Sequence, residues 1–194
     1  MSAVPTRNNP ERVLTVPNAL SMLRIACIPI FAWLVLGPEA NGWAVVVLLV
    51  AGVSDYLDGV LARRWGQETA LGRLLDPVAD RLTSLVVPVV LALRDIVPWW
   101  FVIVLFARDV VVAVAALLLL RRRKVTVDVH YLGKAATFCL LVGLPLLLLG
   151  TFDGAVGELA RVFGWAFTVW GAGLYWWSAA TYIQQIRVLA RKQP

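Results

Sequence analysis

The sequence predicts an all-α integral membrane protein of six transmembrane helices, and three observations carry that expectation. Of the 194 residues 60% are hydrophobic and only 15% charged, with nine tryptophans, and the mean hydropathy is +0.79. No soluble domain of this size needs so much apolar surface. A bilayer-crossing helix takes about 20 mainly apolar residues, and the chain divides into runs of that order separated by short turns. Basic residues gather at alternate ends of those runs, as topology in a membrane requires. The organisation expected is a cytoplasmic lead-in at 1–14 and a single membrane domain at 15–194.

The lead-in is rich in Pro, Asn and Arg and has no signal-peptide layout. A first span follows at 15–36, with Pro17 suited to a first helical turn, where its missing N–H loses nothing. Residues 37–42 make a short turn, and the second span starts at Trp43 and ends in Asp55, Asp58 and Arg63. The third span covers 72–93. Residues 94–98 form a tight hairpin, and Trp99 and Trp100 beyond it read as an interfacial aromatic belt. The fourth span ends at the basic cluster 121–124 and carries Arg108 and Asp109 in its nearer half. After a loop at 125–131 come a fifth span at 133–150, a turn at 151–158 and a sixth span at 160–186. Trp165, Trp170, Trp176 and Trp177 line that last span as packing or lipid-facing surface, and the tail is basic. Six spans put both ends on one side. Of the 18 Lys and Arg only Arg94 and Arg161 fall opposite, so the side holding the ends and the acidic turn is expected to be cytoplasmic.

The chemistry concentrates between Asp55 and Asp80. A carboxylate at the bilayer centre costs about 2.5–3.5 kcal/mol, so four of them in this stretch must lie at the interface, be paired, or bind cations. Asp55 and Asp58 are three apart and Asp76 and Asp80 four apart, spacings that put each pair on one helical face. Two such pairs on neighbouring helices can direct oxygens into one cleft. Hard divalent ions such as Mg²⁺ or Mn²⁺ take such oxygens, completed by substrate phosphate and water, and two of them can clamp a phosphoryl transfer. Gly59 and Gly72 leave room for close approach, and Arg63 and Arg64 offer positive charge to a phosphate.

The pattern Asp55-x2-Asp58-Gly59-x2-Ala62-Arg63-x8-Gly72-x3-Asp76-x3-Asp80 resembles, in every residue type and spacing, the signature of the CDP-alcohol phosphatidyltransferases. Pro17-Asn18-x2-Ser21-x2-Arg24 is similar to a segment that many members carry before their first helix. The resemblance implies the family's helical membrane fold, a CDP-diacylglycerol substrate, CMP as leaving group and two divalent cations, Mg²⁺ or Mn²⁺. It implies metal binding by Asp55, Asp58, Asp76 and Asp80, with Asp80 also the general base. Asn18, Ser21, Gly59, Ala62, Arg63, Thr69 and Gly72 are expected at the CDP-lipid, and Arg24, Arg108 and Lys134 at the acceptor. Relatives are homodimers, so a second copy is an expected partner.

Two acceptors stay open. The branch using glycerol 3-phosphate commonly has Arg-Glu in the fourth span and Gly-Lys-x-Lys-Thr before the fifth. This chain has Arg108-Asp109 and Gly133-Lys134-Ala135-Ala136-Thr137, lacking the second lysine. A phosphomonoester dianion wants more positive charge than a phosphodiester, which tilts the reading toward phosphatidylglycerol. Arg108-Asp109 also reads as a purely structural ion pair.

Other classes are weaker. The charge of +6 fits topology and anionic headgroups, and no base-reading module supports a nucleic-acid partner. Cys27 and Cys139 lie in apolar runs without a metal-site or disulfide pattern. A non-catalytic cation-binding membrane protein would account for buried acids but not for the Gly-Ala-Arg spacing, and the two halves show no internal repeat.

Overall fold

The computed structural model describes residues 16–65, 70–120 and 131–191. The lead-in and the 121–124 cluster lie outside the described residues. Six α-helices and no strand occur among those described, in agreement with the all-α expectation: α1 Val16–Leu36, α2 Asn41–Trp65, α3 Ala70–Leu93, α4 Trp99–Leu120, α5 Tyr131–Leu149 and α6 Ala155–Arg191. The first five start or stop within a few residues of the expected spans. The sixth is 37 residues long and takes up part of the expected turn. Gly154, at φ 94, turns the chain, and its carbonyl accepts the Glu158 N–H at 3.1 Å. Glu158 in the first turn then complements the positive end of the helix dipole.

Among the described residues one stretch, Asn18–Leu36, is long and apolar enough by itself to cross a membrane, and Asn41–Asp55 and Gly133–Leu149 are shorter apolar segments. Polar hydroxyls inside the helices bond back to their own backbone, as Ser54 Oγ does to Val50 O at 2.7 Å and Thr83 Oγ1 to Ala79 O at 2.9 Å. Such bonds satisfy a hydroxyl where water is scarce.

The chain forms two compact units, Met1–Arg94 and Asp95–Pro194. In the first, α1 packs against both α2 and α3. The stripe Asn18, Ser21, Arg24, Cys27, Ile28, Phe31 and Val35 forms the buried face of α1, while Met22, Leu23, Ile30 and Trp33 are exposed. The helical period of three to four residues explains the stripe; it is polar in the N-terminal half, with Asn18, Ser21 and Arg24 inside, and apolar in the C-terminal half, with Phe31 and Val35 inside.

The C-terminal end of α1 has its carbonyls accounted for. Gly37 N–H donates to Trp33 O and Ala40 N–H to Leu34 O, each at 2.9 Å, and the Arg94 guanidinium donates to Val35 O. Last-turn carbonyls lack intrahelical donors, so Arg94, just after α3, closes the end of α1. Its Nη2 also meets Glu39 Oε2 at 2.9 Å, holding a residue that sits at φ 55.

In the second unit α6 packs against α5 and α4. Glycines bring α5 and α6 together: a Cβ on Gly143 would lie 2.5 Å from Thr168 Oγ1, and one on Gly164 would lie 2.8 Å from Leu147 N. Small residues that permit such backbone approach are the usual currency of helix association in lipid. Gly173, with nothing within 4 Å of its would-be Cβ, is the internal control. Gly164→Ala is expected to destabilise by about 1–3 kcal/mol through overpacking, whereas Gly173→Ala should stabilise by about 0.5–1 kcal/mol through helix propensity. Thermal unfolding of the two variants in one detergent checks the opposite signs.

Candidate active site

Three helices supply one charged cluster in the first unit. Arg24 comes from the buried face of α1, Asp55 from α2 and Asp80 from α3. Arg24 Nη1 forms an ion pair with Asp55 Oδ1 at 2.6 Å and donates to Asp80 Oδ1 at 2.7 Å. The arginine side chain is 3% exposed, against 50% and 63% for the two carboxylates. One buried nitrogen therefore gathers acids from two helices.

The electrostatics follow from the count. One guanidinium charge faces the carboxylates of Asp55 and Asp80. Each carboxylate has two oxygens and about four lone-pair positions, so a bond from Arg24 leaves coordinating capacity. Half-open carboxylate oxygens are the ligands a hard divalent ion takes. Asp58 and Asp76 belong to α2 and α3, but their side chains lie outside those described, as do the surroundings of Gly59, Ala62 and Arg63. Thr69 lies outside the described residues. Among the described residues no group of three or more His, Cys, Asp or Glu comes together. Gly72 sits near the start of α3, partly buried.

Asn18 and Ser21, expected at the CDP-lipid, are each 1% exposed and share the inner stripe of α1 with Arg24. Arg24, expected at the acceptor, is found between Asp55 and Asp80. That bridging position is what sequence reasoning missed. The signal was present: Asn18, Ser21 and Arg24 recur every three residues, which places the arginine on the same face as the other two and turns it inward.

The other two acceptor candidates lie in the second unit. Arg108 Nη1 pairs with Asp109 Oδ1 at 3.1 Å, and its Nε donates to Tyr175 O at 3.2 Å. Its Cζ lies 3.7 Å from the Tyr175 ring centroid, and Tyr175 OH donates to Asp109 Oδ1 at 2.9 Å. The trio latches α4 to α6. The structural reading of Arg108-Asp109 anticipated the ion pair; neither reading anticipated Tyr175. Lys134 is exposed in the first turn of α5, and a Cβ on its neighbour Gly133 would lie 3.3 Å from Ser178 Oγ. Tyr175 and Ser178 are one turn apart on α6, so Arg108 and the start of α5 meet α6 at the same level.

Helices with apolar outer faces and an inward-gathered acidic cluster define a lipid-handling membrane enzyme as the class. Residues 14–170 match the family model described as CDP-alcohol phosphatidyltransferase, and the chain belongs to that family. It is thus a transferase of a membrane-embedded, lipid-synthesising family whose members generally use a divalent metal and take CDP-diacylglycerol and a glycerol-type acceptor as substrates.

Among relatives, the chain is 51% identical over 191 residues to the CMP-forming cardiolipin synthase of Streptomyces coelicolor, covering 96% of this chain and 89% of that one. It is 46% identical over 194 residues to a Mycobacterium tuberculosis protein provisionally named a cardiolipin synthase, covering 100% and 91%. The CDP-diacylglycerol–glycerol-3-phosphate 3-phosphatidyltransferase of Blochmanniella floridana is more distant, 25% identical over 186 residues, 91% of this chain and 96% of that one.

Proposed function

We propose that this protein is a CMP-forming cardiolipin synthase, transferring the phosphatidyl group of CDP-diacylglycerol to a hydroxyl of phosphatidylglycerol. The observation that carries the site is the gathering of Asp55 and Asp80 on one nitrogen of Arg24. Asp55, Asp58, Asp76 and Asp80 would hold two divalent ions, Mg²⁺ or Mn²⁺. When bound, those ions neutralise charge on the diphosphate and stabilise the departing CMP oxygen.

The chain's own residues do the rest. Asn18, Ser21, Gly59, Ala62, Arg63, Thr69 and Gly72 bind the CDP-lipid. The acceptor hydroxyl attacks the phosphorus bonded to diacylglycerol, the bond from that phosphorus to the CMP oxygen breaks, and the hydroxyl proton passes to the Asp80 carboxylate. The 63% exposure of Asp80 suits a base that must meet a lipid hydroxyl.

Arg108 and Lys134 receive the acceptor phosphate. Arg108 already shares its charge with Asp109 at 3.1 Å, so it offers less to a dianion than an unpaired arginine does. That favours the singly charged phosphodiester of phosphatidylglycerol over glycerol 3-phosphate, and the 51% identity to a cardiolipin synthase supports the same choice.

The fold is placed across the cytoplasmic membrane as six spans in one catalytic domain at 15–194, with the site facing the cytoplasm and a homodimer as the assembly. Supporting this, large apolar side chains are exposed on every helix, from Met22 and Trp33 on α1 to Trp170 and Trp177 on α6. Large apolar side chains exposed on every helix suit a lipid surrounding. The test of the reaction is stoichiometric: purified protein given CDP-diacylglycerol, phosphatidylglycerol and Mg²⁺ or Mn²⁺ should release one CMP per cardiolipin formed. CMP without cardiolipin would refute the proposal.

A further inference from the structure

We infer that Arg24 is a positioning residue for the cation-binding carboxylates, holding Asp55 and Asp80 in place from behind. The inference rests on the reading above that these two acids bind a divalent ion, and it gives Arg24 a role other than contact with the acceptor.

Three features support it. First, α1 packs against both α2 and α3, and the carboxylates of Asp55 on α2 and Asp80 on α3 meet at Arg24 of α1. Second, burial separates the fixed partner from the open ones: the arginine is 3% exposed and the acids 50% and 63%. Arg24 sits in the packed stripe of α1, so it is the acids, not the arginine, that face the surroundings. Third, both bonds use Oδ1, and a carboxylate can accept a hydrogen bond and ligate a cation at once. A hydrogen bond from a neighbouring group to a ligating carboxylate is how metal sites commonly orient their ligands.

The rival role has the opposite sign. If Arg24 were a counter-ion that a metal must expel, removing it would relieve repulsion and tighten metal binding.

The experiment measures Mn²⁺ binding directly, without substrate, by electron paramagnetic resonance on the full-length protein in lipid nanodiscs. Wild type, Arg24→Lys, Arg24→Met and Asp55→Asn are compared, with thermal unfolding of each in chelator as the check on folding. Arg24→Met is expected to weaken Mn²⁺ affinity by about 10- to 100-fold while still unfolding cooperatively. Arg24→Lys, which keeps the charge on a shorter and less rigid arm, should fall between it and wild type. Mn²⁺ binding by either variant as tight as wild type or tighter overturns the inference. Should Arg24→Met fail to fold, Arg24→Lys decides by the same criterion. If Asp55→Asn leaves wild-type binding intact, the metal reading itself fails and the inference with it; if Asp55→Asn abolishes binding but the Arg24 variants keep it, the inference alone fails.

Discussion

Asp80→Asn is expected to lower the rate of CMP release by about 10²–10⁴-fold, the range supplied by a general base, with little loss of folded protein. The substitution is chosen for its shape. Asparagine keeps an oxygen where Asp80 Oδ1 accepts from Arg24 Nη1 at 2.7 Å, so α3 retains its tie to α1. What disappears is the negative charge, and with it both the proton acceptor and a cation ligand. Because the Asp80 side chain is 63% exposed, no packed cavity is left behind. CMP release measured at saturating CDP-diacylglycerol, alongside thermal unfolding, separates a chemical loss from a structural one. Turnover at the wild-type rate would remove Asp80 from the role of base.

Removal of divalent ions should have an effect at least as large. Arg24 supplies one positive charge to Asp55 and Asp80, too little to neutralise these acids and a diphosphate together. A CDP-lipid brought to this cluster without added cations meets like charge at short range, which at a few ångströms in a partly dry site outweighs ordinary contact energies. Treatment with a chelator is therefore expected to reduce CMP release below about one-thousandth of the starting rate, given the several kcal/mol of charge stabilisation that metal ions lend such transfers. Adding back Mg²⁺ or Mn²⁺ should restore it. Activity that persists in excess chelator would contradict the assignment of the four aspartates.

The helices were legible in the sequence because they rest on short-range rules, and the candidate stretch from Asp55 to Asp80 is likewise a short-range pattern. Apolar runs of membrane length mark helices whatever packs against them, and the Asp55-to-Asp80 pattern is set by spacing along the chain. What was hard to read depended on partners distant in sequence. Arg24 and Asp80 are 56 positions apart, and nothing local to either reveals that α1 lies against both α2 and α3. Tyr175 reaches Asp109 from 66 positions away for the same reason, and looked like one more aromatic in a tryptophan-rich helix. The start of α6 was misplaced because two glycines, Gly154 and Gly157, and the acidic Asp153 and Glu158 look like a turn. Gly154 does make the turn, but Glu158 belongs to the first turn of the helix, where a negative charge is favoured.

Acceptor choice is the central claim, and competition tests it most directly. Purified protein supplied with CDP-diacylglycerol, Mg²⁺ and equal amounts of phosphatidylglycerol and glycerol 3-phosphate should yield cardiolipin as the dominant lipid product by mass spectrometry. Phosphatidylglycerophosphate as the dominant product would contradict the account and show that Arg108, although paired with Asp109, still serves a phosphomonoester.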